Sequence, residues 1–211
     1  LLHKKTKRDY LGRMADDKVN AMKIARQYGY DYWDGERKYG YGGYRYDGRW
    51  APIAQRLRET YSLPETPNIL EIGCGKGHLL YECKKLLPES IITGFDSSEY
   101  AIKNSKEEIR ESLAVHRAQD SYPFEDKEVD LVMSLMTLHN LKLPDLETAL
   151  REVERVGKNK YIAVESYRNE QELFNLQCWA LTCESFFSPD TWQWIFEKSG
   201  YTGDYEFIYF E

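Results

Sequence analysis

Three glycines at alternate positions, Gly73, Gly75 and Gly77, follow the acidic Glu71 and separate a short apolar run, Asn68–Ile72, from a helical pattern opened by Leu79 and Leu80. Glycines in such a loop allow positive φ and let the main chain lie against a ligand that a Cβ would hold off. The unpaired N–H groups of the following helix then face that ligand. A turn of this make-up suits something elongated and polar. About 20 residues further on, the run Ile91–Phe95 ends in Asp96, where nucleoside-binding α/β folds hold ribose hydroxyls through a carboxylate. Asp120 closes a third short run. A fourth, Val129–Leu135, is nearly all apolar, as expected of a central parallel strand covered on both faces. It leads into Thr137–Leu138–His139–Asn140, and ligand sites in such sheets lie at the carboxyl ends of the strands. That makes His139 the candidate base, since imidazole accepts a proton near neutral pH. The competing reading is that His139 bonds the backbone and holds its loop.

Positioning these residues takes alternating strands and helices, and 211 residues suit one domain. We read residues 1–62 as N-terminal helices and a lid and 63–211 as the core. Pro64 and Pro67 lead into the first strand. Helices are expected over 77–87, over 99–111 behind a Ser97–Ser98 cap, over 145–156 with Gly157 as its stop, and over 189–199 between Ser188 and Gly200. Strands are expected over 114–119, 161–165 and 204–210, the last inside the sheet. Glu165, Tyr167 and Arg168 fall at the carboxyl end of the 161–165 strand, and so become candidate acceptor contacts.

Upstream, residues 17–28 read as a packing helix carrying Val19, Met22, Ile24 and Ala25, and 29–50 is a tract of Tyr, Trp, Gly and Arg with neither helical nor strand period. Its aromatic side chains must pack on or over something, and an ordered lid is favoured over an RNA-binding disordered segment because the tract is short and the protein acidic.

The heptapeptide Glu71-Ile-Gly73-Cys-Gly75-Lys-Gly77 resembles the first motif, (D/E)-x-G-x-G-x-G, of the class I S-adenosylmethionine-dependent methyltransferases, and the resemblance runs from about Ile69 to the end of the chain. It implies a Rossmann-like, doubly wound α/β fold: a mainly parallel sheet of six to seven strands in the order 3-2-1-4-5-7-6, the last strand antiparallel. It further implies S-adenosylmethionine as cofactor, with S-adenosylhomocysteine as product, and neither a protein nucleophile nor a metal. On this resemblance Glu71, Gly73, Gly75 and Gly77 form the cofactor loop, Asp96 and Ser97 hold the ribose end, and Leu135 lies against the cofactor. Asp120 accepts from the adenine amine and Ser121 gives its N–H to the ring, although the turn there is a residue or two shorter than the family's. Tyr41, Gly42 and Arg49 reach the methionine end, where a guanidinium can bind a carboxylate bidentately, and Tyr44 faces the acceptor. A nicotinamide-dependent oxidoreductase is the rival enzyme class, but G-x-G-x-G departs from its G-x-G-x-x-G. A nucleoside-binding regulatory protein without turnover is the rival outside enzymes.

Net charge is −6, yet residues 1–60 hold 14 Lys/Arg against 8 Asp/Glu, which leaves 15 against 27 in the remainder. The basic end either faces an anionic acceptor or is a solvated helix face. The acidic balance argues against nucleic acid as partner, and the chain shows no [DNS]-P-P-[YFW] tetrapeptide. A small-molecule acceptor is expected. No run of 18 apolar residues or signal-peptide core is present, so no membrane association and a cytoplasmic location are expected. Cys74, Cys83, Cys178 and Cys183 lack zinc or disulfide spacing and read as buried thiols. The tract from Tyr32 to Trp50 and the ending TGDYEFIYFE resemble bacterial methyltransferases of capsule and surface-polysaccharide biosynthesis, which implies a sugar, nucleotide-linked or phosphate-containing acceptor, with O-methyl phosphoramidate formation as one case.

Overall fold

The computed structural model describes residues 8–211. The first seven residues, which carry part of the basic N-terminal charge, lie outside the described residues. Six strands, β1 (Asn68–Ile72), β2 (Ile91–Asp96), β3 (Leu113–Val115), β4 (Val129–Leu135), β5 (Gly157–Glu165) and β6 (Asp204–Ile208), form one sheet in the order β3-β2-β1-β4-β5-β6. Every neighbouring pair is parallel. Parallel neighbours require crossovers, supplied by α5 (His78–Leu86), α6 (Glu99–Lys103), α7 (Leu143–Val156), α8 (Glu170–Trp179) and α9 (Pro189–Ser199). Ahead of the sheet come α1 (Tyr10–Ala15), α2 (Lys18–Ala25), α3 (Tyr30–Trp33) and α4 (Ala51–Thr60).

The strands alternate between two cores, because successive side chains point to opposite faces. Ile69, Leu131, Met133 and Ala163 pack with Leu57 of α4, Leu79, Leu80 and Cys83 of α5 and Leu176 of α8. Leu70, Ile72, Val132, Ile162 and Val164 pack on the other side with Leu146, Leu150 and Val153 of α7 and Trp192, Ile195 and Phe196 of α9. This is the doubly wound, Rossmann-like α/β class, and all four cysteines are buried in it as free thiols. Among the described residues, no helix is long and apolar enough to cross a membrane.

The sheet corrects the expected strand order. One strand follows α9 within the chain, and it arrives by a helical crossover, which returns the chain in the direction of β5 and makes β6 parallel. An antiparallel last strand in a 3-2-1-4-5-7-6 order needs a hairpin partner between β5 and the edge. β6 is therefore itself an edge strand, with Asp204 and Tyr205 exposed, and does not lie inside the sheet.

Other expected boundaries shift for local reasons. The 99–111 helix stops at Lys103, since the Asn104 side chain donates to the Tyr100 carbonyl and Ser105 Oγ to the Ile102 carbonyl. Such side chains compete with the helix ladder, and the chain continues as a 3-10 turn, Glu107–Ser112. Gly157 ends α7 in extended conformation (φ −90°, ψ 129°) and is already the first residue of β5. Val19 is exposed, and α2 packs through Ala21 and Ala25 instead. The caps of α9 are as expected: Ser188 accepts from the Thr191 N–H, Pro189 opens the helix, and Gly200 closes it with φ 73°.

Trp192 has no exposed surface and donates its indole N–H to the Glu165 carbonyl at 3.1 Å, tying α9 to the end of β5. Trp192→Ala is expected to cost about 3–5 kcal/mol of unfolding free energy, measured by urea denaturation; a loss below 1 kcal/mol would remove this contact as an anchor of the α9 layer.

Candidate active site

The carboxyl ends of β1 and β2 are joined by their own backbone. Gly73 and Cys74 both donate their N–H groups to the Phe95 carbonyl, at 2.7 and 2.9 Å. Gly75 N–H then donates to Asp96 Oδ2 at 2.7 Å and Ser98 N–H to Asp96 Oδ1 at 2.8 Å. The loop makes these bonds through positive φ at Gly73 and Gly75, 75° and 55°. A Cβ on Gly73 would lie 2.0 Å from Thr137 Oγ1, and one on Gly75 would lie 2.8 Å from the Trp33 ring. Gly77 serves differently, as the left-handed N-cap of α5 packed toward Ile109 and Leu113.

Glu71 is buried two residues before the loop, and its Oε2 has no hydrogen-bond partner. Burial first, and Asp96 second, push its carboxyl well above the ordinary range. Burial also raises Asp96, against the pull of the two backbone donors. These residues open onto a cleft of about 1720 Å³ across the sheet's carboxyl edge. Of the residues expected at the cofactor, Tyr41, Arg49, Glu71, Gly73, Gly75, Asp96, Ser97, Asp120 and Leu135 line it, and so does Tyr44 from the acceptor set. Gly42, Gly77 and Ser121 are not on its wall. Arg49 reaches the cleft already paired, donating through Nε and Nη2 to the Asp47 carboxylate.

The aromatic tract forms an ordered cover, with a short helix (α3) and a 3-10 turn, Arg37–Tyr39, where sequence periodicity shows none. Trp33 stacks on Tyr41 (5.2 Å between centroids, 8° between planes), and Tyr44 stacks on His78 (4.8 Å, 11°). Trp33 Nε1 donates to Ser98 Oγ at 2.9 Å and to the Tyr28 carbonyl at 3.0 Å. The cover is latched to the glycine loop by Lys76, whose Nζ lies 2.7 Å from Asp34 Oδ2 with only 7% of its side chain exposed. Tyr100 OH donates to the same carboxylate at 2.8 Å. Burial works against the charged form of Asp34, but the Lys76 and Tyr100 bonds outweigh it and hold the carboxyl below its ordinary value. Burial, with Lys76 adding to it, lowers His78 to about 4, so its ring stacks as neutral imidazole.

The remaining expected site residues gather behind the cleft. His139 is buried off the wall. The Glu165 N–H donates to its Nδ1 at 3.4 Å, which leaves the proton on Nε2, 3.5 Å from Glu165 Oε2. Its carbonyl accepts from Glu184 and Ser185 N–H, pinning the segment after α8 to the β4 loop. Burial holds His139 down to about 3 and raises Glu165 to about 7, with Arg8 opposing the latter. Glu165 and Tyr167 are likewise off the wall, and Arg168 is clamped at the surface by Glu172 and Glu211. The cleft also carries Trp33, Tyr28, His116 and Arg8, which sequence reasoning left unassigned. Trp33 had a signal, being one of two indoles in a Tyr/Gly tract; His116, stacked on Phe95 at 4.3 Å, had none beyond its place after the third strand.

Residues 70–163 match the family model described as "Methyltransferase domain". The human protein named "Arginine-hydroxylase NDUFAF5, mitochondrial" is 30% identical over 129 residues, covering 60% of this chain and 35% of that protein. Its zebrafish (Danio rerio) counterpart is 26% identical over 136 residues, 64% of this chain and 41% of the counterpart. The chain thus spans about a third to two fifths of the length of these relatives. Among solved structures, geranyl diphosphate C-methyltransferase from Streptomyces coelicolor A3(2) superposes with a TM-score of 0.57 at 15% identity, covering 71% of this chain and 59% of that one. An S-adenosylmethionine-dependent methyltransferase from Aquifex aeolicus has a TM-score of 0.50 at 18% identity, covering 87% and 88%. The fold is the Rossmann-like fold of these methyltransferases, and residues 70–163 are similar to the methyltransferase domain family.

Glu165 gives the site a pH signature. Its folded-state value is raised from an ordinary 4.5 to about 7, so the folded protein binds more protons across that interval, and the stability present below 4.5 is lost as pH rises through 7. Glu165→Gln removes this loss. The variant's stability relative to wild type is expected to improve by roughly 3 kcal/mol between pH 5 and pH 8, read from urea melts of both proteins; parallel pH profiles would contradict the placement of this carboxyl.

Proposed function

We propose that the chain transfers a methyl group from S-adenosylmethionine to an oxygen of a small polar, anionic acceptor by in-line displacement. The observation that carries this reading is the pairing of Asp96, whose carboxylate keeps lone pairs after two backbone bonds, with Glu71, whose Oε2 is buried and unpartnered at the same cleft. An ionised carboxylate has about four lone-pair positions. The residues fit the cofactor: Asp96 would take vicinal ribose hydroxyls, Glu71 a donor from the cofactor or an ordered water, and the glycine loop would let the backbone approach. Bound there, S-adenosylmethionine would supply a methyl group activated on a sulfonium. The chain's own part is to position the acceptor, exclude water with the aromatic cover and stabilise charge.

For His139 we favour a positioning role over that of proton acceptor. Both ring nitrogens are occupied by Glu165, and a group held down to about 3 is a weak base. An acceptor that is a sugar or a nucleotide-linked or phosphate compound agrees with the basic N-terminal segment. A link to capsule or surface-polysaccharide synthesis rests on the sequence resemblance alone. The relatives' name favours a second reading, hydroxylation of an arginine side chain. Product analysis separates the two, since only methyl transfer releases S-adenosylhomocysteine.

Calorimetric titration is expected to show saturable S-adenosylhomocysteine binding and none for NAD, with Asp96→Asn weakening it at least 10-fold, about 1.4 kcal/mol or more. Binding of NAD instead, or unchanged affinity in the variant, would overturn the reading; binding without turnover on any acceptor would favour a regulatory protein. His139→Ala is expected to lower stability by about 1–3 kcal/mol while the pH profile of turnover keeps its shape; a displaced profile would make His139 the base.

A further inference from the structure

Three guanidinium groups converge on one indole. Arg8, Arg13 and Arg37 stand 5.3, 4.5 and 5.1 Å from the centroid of the Trp179 ring. They come from three separate stretches of the N-terminal segment: the residue before the α1 cap, α1 itself and the 3-10 turn of the cover. Cation–π contact with tryptophan accounts for one such neighbour, but three like charges around one ring oppose each other. Burial lowers Arg13 to about 10, with Arg37 as the next cause, and Arg37 is lowered by burial and by Arg8.

Charge compensation around the trio is thin. No ion pair joins Arg8, Arg13 or Arg37 to a carboxylate among the described residues, whereas Arg26 and Arg49 each have one and Arg168 has two. Arg13 donates Nε to the Trp179 carbonyl and Nη1 to the Arg37 carbonyl, so it sits on the negative end of α8, which Lys18 also shares through the Gln177 and Cys178 carbonyls. Arg37 spends Nη1 on the Gly40 carbonyl. Arg8 stacks on Phe210 as well as Trp179 and faces the buried Glu165 only at a distance. Each arginine carries five N–H donors, so most donors in the cluster are unspent. The cluster is also continuous with the cleft. Arg8 is on the cleft wall, and Arg13 and Arg37 interact electrostatically with Tyr32, itself a wall residue.

We propose that Arg8, Arg13 and Arg37 form a binding site for a phosphate-type dianion, the charged end of the acceptor, at the rim of the cleft over Trp179. Planar guanidinium forks match phosphate oxygens bidentately, and the bound dianion offsets repulsion that the protein alone leaves standing. Calling this anion part of the methyl acceptor rests on the methyl-transfer reading. Its binding does not, and it is measured without methyl donor.

The test titrates inorganic phosphate into the full chain at constant ionic strength, following tryptophan fluorescence and heat. Wild type is expected to bind saturably, and Arg37→Gln to weaken binding at least 10-fold. Arg37→Lys, which keeps the charge and loses the fork, is expected to fall between them. Arg151→Gln, at an exposed pair with Glu147 on α7, should leave binding unchanged. Trp179→Phe should bind phosphate while losing the fluorescence response. A sugar phosphate competing with inorganic phosphate, and the uncharged sugar failing to, identifies the acceptor's anion as the ligand; competition by inorganic phosphate alone overturns the acceptor assignment. Equal binding by wild type and Arg37→Gln, each folded by circular dichroism, or no binding by wild type, overturns the site. Phosphate binding in a protein that ignores S-adenosylhomocysteine would leave the site standing and sink the methyl-transfer reading.

Discussion

The carboxyl edge of this sheet depends on one carboxylate, Asp96, accepting backbone hydrogen bonds from two loops at once. Gly75 belongs to the loop after β1 and Ser98 to the cap of α6, so the two bonds fix the glycine loop against the end of β2. Charge-assisted bonds of this kind contribute about 1.5–3 kcal/mol each, enough to set loop geometry. The same group keeps lone pairs for a ligand. In the proposed reading structure and recognition share an atom set, and the Phe95 carbonyl beside it on β2, accepting from Gly73 and Cys74, reinforces the arrangement.

Residues between the glycines distribute the remaining work. Cys74 points into the core, where it stands 2.8 Å from a Cβ built on Gly94, and Lys76 reaches outward to the Asp34 carboxylate of the cover. Because Asp34 also accepts from Tyr100 and from the Tyr44 N–H, one ion pair, buried at Lys76 and half-buried at Asp34, joins the cover, the glycine loop and α6. A pair of this kind is weak evidence for stability; what it supplies here is a direct link between the three elements. The stacked Trp33–Tyr41 and Tyr44–His78 rings extend that arrangement over the cleft.

The core was legible where periodicity and composition agree: β1, β4, α7 and α9 stand within a few residues of their sequence bounds, since apolar runs and caps encode them locally. The gathering of Glu71, Gly73, Gly75 and Asp96 at one cleft was legible for the same reason, a fixed spacing along the chain. What escaped depends on long-range packing. The direction of β6 is set by a crossover through two helices, not by the alternation of Tyr205, Phe207 and Tyr209. Arg49 was expected to await a ligand carboxylate, but Asp47, two residues away, already takes its guanidinium. His139 lies at the expected strand end, but its ring turns behind the cleft because Glu165 of the neighbouring strand captures both nitrogens. The convergence of Arg8, Arg13 and Arg37 on Trp179, more than 140 residues away in the chain, has no local signature at all.

The most direct measurement is a crystal structure of the full chain grown with S-adenosylhomocysteine. The account expects the ribose hydroxyls on Asp96, a polar group of the ligand within hydrogen-bond distance of Glu71, and the nucleoside within the cleft roofed by Trp33 and Tyr41. A ligand bound away from the carboxyl ends of β1 and β2, or an Asp96 carboxylate that keeps its two backbone bonds and contacts no ligand atom, would contradict it.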